Sequence, residues 1–115
     1  MPRREAHPSL RQVRPALGPA PALHKEMFGD VWRWAGTFRH ENLNIGSPWH
    51  QVPMQLQHLL DDLTSWGAFG MPLLEQAARL HHRAAQIHPF PNGNGRWSRM
   101  LANIGLRLHG YPPTA

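Results

Sequence analysis

Residues 88–96 read "HPFPNGNGR", and this stretch combines two prolines and two glycines ahead of an arginine. An apolar-periodic run, "WSRMLANIGLRLHG" (97–110), follows it directly. Pro89 predicts that a preceding helix ends near His88, because the residue before a proline avoids the α-helical region. The stretch is therefore predicted to join two helices, either as a tight connector or as a phosphate-binding loop.

The second of these helices begins with groups that attract anions. Its first backbone N–H groups have no intrahelical partner, and the helix dipole adds about half a positive charge there. Gly93 and Gly95 carry no side chain that would block an anion from these donors. Arg96 and Arg99 are three residues apart, so both project from the first turn of one face. The pattern predicts a polyphosphate site.

His88 lies at the other end of the loop. An imidazole titrates near neutral pH and can take a proton from an attacking hydroxyl, which contributes about 10²–10⁴ in rate. Phe90 is the apolar residue expected to anchor the loop in the core. A base, an anion site and two arginines within residues 88–99 predict phosphoryl or nucleotidyl transfer, where positioning and charge neutralisation do most of the catalysis.

Upstream of the loop, apolar residues recur at spacings of four and three from residue 23, which predicts a first amphipathic helix with Gly36 as its stop. The recurring residues are Leu23, Met27, Val31 and Trp34. Residues 37–52 lose this period and contain Asn, Gly and Pro. They are predicted to form a short hairpin or extended flap.

Three further helices are predicted. Prolines open the second helix at Pro53 and the third at Pro72, and the fourth runs from about Gly95 to His109. Each has a predicted buried face, which consists of Leu56, Leu59, Leu60 and Leu63 on the second helix, Leu73, Ala77, Leu80, Ala84 and Ile87 on the third, and Trp97, Leu101, Ile104 and Leu108 on the fourth. Residues 1–22 are rich in proline and arginine without apolar periodicity, so we expect a poorly ordered leader before a domain of residues 23–115. The fold class is all-α with a short β-hairpin flap.

Composition limits the classes of partner. The 115 residues correspond to one domain, cysteine is absent, and no apolar run is long enough to cross a membrane, so we expect a cytoplasmic protein. The formal net charge is +5, and no Asp or Glu follows Glu75. This excess of positive charge favours anionic partners, namely the phosphates of a nucleic acid or nucleotide, or an acidic protein face.

The motif has a known counterpart. "HPFPNGNGRWSR" (88–99) resembles the signature of the Fic (Fic/Doc) family, H-x-F-x-[D/E]-G-N-G-R-x-x-R. "LHKEMFGDVWRWAGTFRHENLNIG" (23–46) is similar to the helix and flap entrance of that family. Together with "LHHRAAQIHPFPNGNGR" (80–96) and "ANIGLRLHGYPP" (102–113), it resembles the bacterial branch called mobile mystery protein B.

The resemblance implies a Fic-like helical fold and a protein adenylyltransferase. Fic proteins mostly transfer AMP from ATP to a hydroxyl of a target protein, so ATP and a target with a Ser, Thr or Tyr hydroxyl are the implied partners. His88 would be the base and Phe90 the structural anchor of the loop. The residues implied in binding the phosphates are Gly93, Asn94, Gly95, Arg96 and Arg99.

The resemblance also implies which residues would contact the target protein and which would bind the metal ion. The flap would dock a target segment by strand-like pairing, with the contacts made by Arg39, Asn44, Ile45 and Gly46. The acidic residue with which the family positions Mg²⁺ is Asn92 in this chain, so its part as a metal ligand is expected to be weak. Relatives usually continue beyond "YPPTA" (111–115) with another helix, so we expect a domain that is short at its C-terminus. Control would come from a partner chain, an inhibitory antitoxin, or from that further segment.

Several alternatives remain open. A Doc-type phosphotransferase would use the same frame, although "GNGR" favours adenylylation. An inactive Fic-like module that binds a nucleotide or a partner would agree with Asn92 and the short C-terminus. A basic nucleic-acid binder rests only on the pI of about 11.4. A zinc site at His81, His82 and His88 is not expected, because adjacent helical residues diverge by about 100° and no cysteine completes the set.

Overall fold

The computed structural model describes residues 9–10, 13–14 and 22–111, and within these ranges it has four α-helices. They are α1 (Ala22–Phe28), α2 (Val52–Ala68), α3 (Leu73–Ile87) and α4 (Asn94–Leu108), with a 3₁₀ turn at Trp49–Gln51. The predicted all-α class is confirmed. Helices α2, α3 and α4 begin within one residue of the predicted positions.

Prolines and apolar stripes account for α2 and α3. Pro53 occupies the first turn of α2, where its missing N–H has no intrahelical partner in any case. Pro72 is the residue before α3, at the N-cap. The predicted stripes are buried, with Leu56, Leu59, Leu60 and Leu63 on α2 and Leu73, Ala77, Leu80, Ala84 and Ile87 on α3. The two helices pack against each other, and α3 makes its most extensive contact with α4.

The buried face of α4 differs from the predicted one at its C-terminal end. Leu108 was expected in the core but is 60% exposed, whereas Leu106 is buried. The reason is a close approach of the N-terminal segment at Gly105, where a Cβ atom would lie 3.2 Å from Leu10 and 3.3 Å from Val13. The helix therefore turns Gly105 and Leu106 inward.

Most of the predicted leader, residues 1–22, lies outside the described residues. Of its described residues, Ser9, Leu10 and Val13 are buried in the core, whereas Arg14 and Ala22 are exposed. The Ser9 hydroxyl donates to the Leu63 carbonyl of α2 at 2.9 Å, and the Leu10 N–H donates to the Gln76 side chain of α3 at 3.2 Å. This part of the chain closes one side of the helix pair.

The prediction that α1 continues to Gly36 is wrong. The helix ends at Phe28, and Val31, which the longer helix would have buried, is 72% exposed. Trp32 instead stacks on Phe28 and on Trp34, with ring centroids 4.7 and 4.5 Å apart. The apolar spacing thus reflected an aromatic cluster built on a series of turns.

The predicted β-hairpin flap is also wrong, because no strand occurs between residues 37 and 48. Two backbone N–H groups of this segment bond to the end of α3 and to the loop after it. The Arg39 N–H donates to the Pro89 carbonyl at 3.0 Å, and the Ser47 N–H donates to the Ile87 carbonyl at 3.2 Å. We keep the name flap for residues 37–48.

No described helix is both long and apolar enough to cross a membrane. The longest of them, α2, has 17 residues and exposes one polar face, which includes Asp61.

Candidate functional site

His88 occupies a strained position at the end of α3. It is the C-cap of the helix in the left-handed region, with φ 55° and ψ 61°, and no other described residue except glycine has a positive φ. Such a conformation costs about 1–3 kcal/mol and is maintained only where the surroundings enforce it. Burial lowers the pKa of His88, the charge of Arg39 lowers it further, and the Ala85 backbone opposes the shift. The imidazole is therefore neutral near pH 7 and able to accept a proton.

Arg39 connects the flap to the end of α3. Its side chain is only 2% exposed, and the guanidinium donates to backbone carbonyls on both segments. The acceptors are His88 at 2.6 Å, Glu41 at 2.9 Å, Ile87 at 3.2 Å and Ser47 in a shorter contact. A cation at a helix C-terminus is favoured by the helix dipole. The Arg39 side chain is buried and not presented at the surface, and in this structure it holds the backbone at His88.

The other flap residues predicted to dock a target lie at the surface. Asn44 and Gly46 are exposed, and Ile45 is 64% exposed. Gly46 lies directly beside the predicted base, because a Cβ atom there would be 2.8 Å from the Cβ of His88. All three residues are thus accessible, and Gly46 lies next to His88.

Asn94 closes the loop with its side chain. The Phe90 N–H donates to Asn94 Oδ1 at 2.9 Å, and Asn94 Nδ2 donates to the Phe90 carbonyl at 2.8 Å. Phe90 is fully buried, and its ring meets Trp97 edge-to-face at 5.0 Å. The Asn94 side chain is 97% buried and binds Phe90 through both its oxygen and its nitrogen, so its backbone N–H is the group that we expect to face an anion.

The two glycines of the loop serve different purposes. Gly93 is the N-cap of α4 with φ 78°, and a Cβ atom there would lie 2.7 Å from the Phe28 ring. The fold itself therefore requires Gly93. Gly95 lies inside the first turn of α4, and a Cβ atom there would meet nothing within 4 Å. The space in front of Gly95 is open to a ligand.

A cleft of about 500 Å³ borders the start of α4. Its lining comes from three helices and consists of Met27, His81, Gly95, Arg96, Arg99, Met100 and Asn103. Both arginines are exposed. The volume lies in the range of small-molecule sites, and the combination of two guanidinium groups with an apolar wall suits a nucleotide.

His88 is not part of this cleft. A second cleft of about 350 Å³ lies on the flap side and is lined by Phe38, Leu43, Pro91 and neighbouring residues, again without His88. Residues of the 88–96 loop thus contribute to both clefts, Pro91 to one and Gly95 to the other. The loop separates a flap side, where His88 lies against Gly46, from the arginine side.

Gly95→Ala provides a test of the helix start as an anion site. We expect the free energy of unfolding to rise by up to about 1 kcal/mol, because alanine is the better helix former. We expect ATP affinity to fall about 10- to 100-fold, because the methyl group would occupy the space needed for a charged hydrogen bond. Calorimetry with ATP and thermal unfolding measure the two effects. Unchanged ATP affinity in the stabilised variant would contradict an anion site here.

Among the described residues, no three His, Asp or Glu side chains lie close enough to hold a metal ion together. Asp62 is paired with Arg83 at 2.8 Å, and Glu75 with Arg79 at 3.1 Å. The Asn92 side chain is exposed in the loop, and it can offer one neutral carbonyl oxygen but no charge.

One side chain near the loop was missed by the sequence analysis. His24 of α1 is fully buried and its ring stacks on Phe90 at 3.7 Å. The signal was its spacing of four from Phe28, since these two residues are the buried ones on α1. Leu23 and Met27 of the predicted stripe are partly buried and also pack against the core.

Comparisons with known proteins agree with the motif. A sequence model of the Fic/DOC family matches residues 20–106. Over 96 residues the chain is 35% identical to the protein adenylyltransferase Fic of Aedes aegypti and 34% identical to that of Culex quinquefasciatus. It is 31% identical to the protein adenylyltransferase fic-1 of Caenorhabditis briggsae. Each alignment covers 79% of this chain and 19% of the relative, so the chain spans about a fifth of the length of these proteins. The likeness to a bacterial branch stays a prediction.

Proposed function

Because the chain belongs to the Fic/DOC family, we propose that it is a protein adenylyltransferase, which transfers AMP from ATP to a hydroxyl of a target protein. The observation that carries the proposal is the 88–96 loop. It joins a neutral histidine at the end of α3 to the positive start of α4, beside a cleft with two exposed arginines. The names of the relatives support the same reaction.

In this reaction His88 takes the proton of the target hydroxyl. The oxygen then attacks the α-phosphorus of ATP, the bond to the β-phosphate oxygen breaks, and pyrophosphate leaves. The lowered pKa of His88 supports this role, because the ring must be neutral to accept the proton. The neighbouring guanidinium of Arg39 holds the His88 carbonyl, and so fixes the backbone that presents the base.

The phosphates would lie at the start of α4. The backbone N–H groups from Gly93 to Arg96 point toward the helix N-terminus and carry its partial positive charge. Arg96 and Arg99 are exposed on the first turns and would bind the phosphate oxygens. A target segment would lie along the flap at Asn44, Ile45 and Gly46, where it brings a Ser, Thr or Tyr hydroxyl to His88.

Mg²⁺ would enter with ATP, held mainly by phosphate oxygens, because Asn92 offers no charge and no Asp or Glu follows Glu75 in the chain. We expect Asn92→Asp to lower the Mg²⁺ concentration needed for half-maximal transfer. The exposed position accommodates the nearly isosteric side chain. The measurement is the initial rate against Mg²⁺ at fixed ATP.

Asn92→Ala is the matched control for this prediction. It removes the amide oxygen and should leave the Mg²⁺ requirement close to that of the wild type. If the wild type already saturates at the same Mg²⁺ concentration as the Asp variant, a carboxylate from elsewhere completes the site.

The test of the reaction class is incubation of candidate target proteins with ATP and Mg²⁺. Intact-mass analysis should show a gain that matches AMP, and label should transfer from α-³²P-ATP but not from γ-³²P-ATP. Label from the γ-phosphate alone would favour a Doc-type phosphotransferase.

A second candidate function is a binding module without catalysis. The observation that favours it is the missing carboxylate at residue 92, where the family signature has an acidic residue and this chain has Asn92. ATP binding without transfer of either label would support this alternative.

A further inference from the structure

His24 makes a hydrogen bond to the motif loop across 68 residues of sequence. Its Nε2 lies 2.9 Å from the Asn92 carbonyl oxygen, and its Nδ1 accepts the Gly36 N–H at 2.9 Å. A ring nitrogen that accepts a backbone N–H carries no proton itself, so the proton must be on the other nitrogen. His24 is therefore a neutral imidazole whose Nε2–H donates to Asn92.

The surroundings of His24 maintain this tautomer. The side chain is fully buried, stacked on Phe90 at 3.7 Å and tilted against Phe28 at 4.9 Å. Burial lowers the pKa of His24, and the hydrogen bond to Asn92 opposes this only in part. Protonation would also place an Nδ1–H group against the Gly36 N–H. The ring is thus a rigid neutral donor that cannot rotate away from the loop.

The bond to Asn92 determines where the next backbone N–H points. The peptide bonds of the described chain are trans, and in a trans peptide the C=O and the following N–H point in opposite directions. The Asn92 carbonyl points inward to His24, so the N–H of Gly93 points away from His24, toward the outside of the loop. Successive outward N–H groups before a helix form a concave anion site.

The neighbouring peptides are held by other side chains. Asn94 binds both backbone groups of Phe90, and Arg39 binds the carbonyls of Ile87 and His88. Neither reaches the peptide between Asn92 and Gly93. Within the described residues, the side chain that holds this peptide is that of His24.

We propose that His24 is a positioning residue which, through its bond to the Asn92 carbonyl, aims the Gly93 N–H at a phosphate of the bound nucleotide. This inference rests on the proposed function, because that function identifies the anion as ATP. His24 itself touches neither ATP nor the target and acts only through the loop backbone.

Two amide substitutions separate the two hydrogen bonds of His24. The side-chain nitrogen of His24→Gln can occupy the place of Nε2 and keep the donor to Asn92. The side-chain oxygen of His24→Asn can occupy the place of Nδ1 and keep the acceptor for Gly36. Each variant loses one of the two bonds, so similar decreases in thermal stability are expected for both.

The expected result is a difference in function between variants of similar stability. His24→Asn should lose about 10-fold or more in ATP affinity and in kcat/KM for ATP, whereas His24→Gln should keep both within about threefold of the wild type by the same reasoning. A purely structural role predicts losses that follow stability and do not distinguish the variants. Equal ATP affinities for the two variants would overturn the proposal.

The ATP affinities also separate this inference from the proposed function. If the wild type binds ATP but transfers no AMP, the proposed function fails, while the comparison of Asn and Gln variants by calorimetry still decides the role of His24. If His24→Asn does not fold, an NMR titration of the wild type with inorganic pyrophosphate provides a second measurement. The resonance of the Gly93 amide should shift as pyrophosphate binds, and an unchanged resonance at saturating pyrophosphate would overturn the proposal.

Discussion

His88→Gly is expected to lower AMP transfer by about 10²- to 10⁴-fold, because it removes the group that accepts the hydroxyl proton. The fold should not suffer, since His88 has φ 55° and glycine adopts this left-handed conformation without strain. We expect the free energy of unfolding to be unchanged or to rise by up to about 1 kcal/mol. ATP affinity should remain at the wild-type value, because the base contacts the target hydroxyl and not the phosphates.

The control for this prediction is His82→Ala. His82 lies on the same helix with an exposed side chain and is not near the loop contacts described above. Its replacement should change neither the transfer rate nor ATP binding. Transfer by His88→Gly at the wild-type rate would remove His88 from the mechanism, and a large loss of ATP affinity would indicate that it binds the nucleotide.

Asn94→Ala is expected to have the largest effect on stability. It leaves the buried N–H and C=O of Phe90 without their partners, and an unsatisfied buried group costs about 1–3 kcal/mol, so the two together cost about 2–6 kcal/mol. The free energy of unfolding from urea titration measures this loss. A small domain has a total stability of only about 5–15 kcal/mol, so the variant should be severely destabilised.

Asn92→Ala is the matched control in the same loop. The Asn92 side chain is exposed, and the bond to His24 uses the backbone carbonyl, which the substitution keeps. Its effect on the free energy of unfolding should stay within about 0.5 kcal/mol. Equal losses for the two asparagine variants would mean that the Phe90 hydrogen bonds do not hold the loop.

The helices that could be predicted well are those with local signals. Pro53, Pro72 and Pro89 restrict the backbone wherever they occur, so they defined two helix starts and one helix end within a residue or so. The leucine stripe of α2 and the stripe of α3 were buried as predicted. Helix α1 was predicted too long because Val31 and Trp34 continue the helical spacing of its apolar residues. In the fold Val31 is exposed and Trp34 stacks on Trp32 in a series of turns, and periodicity does not distinguish the two arrangements.

The β-hairpin predicted for the flap is absent for a related reason. Its composition indicated an irregular segment, and a hairpin was the local structure that would pair its backbone groups. In the folded chain those groups pair with Ile87 and Pro89, about 40 to 50 residues away. A partner at that separation cannot be inferred from the spacing of residues within the flap.

The sequence by itself determined the all-α class, because the helix signals are local, and it placed the predicted base, the two glycines and the two arginines within residues 88–99. Only the tertiary structure decided how this loop is held. Arg39 and His24 bind its carbonyls from 49 and 68 residues away. The side chain of Asn94 binds both backbone groups of Phe90, and its backbone N–H is the group that we expect to face an anion. These hydrogen bonds form where a backbone group is buried without a partner once the helices have packed. Which groups those are is a property of the whole fold and not of any local stretch of sequence.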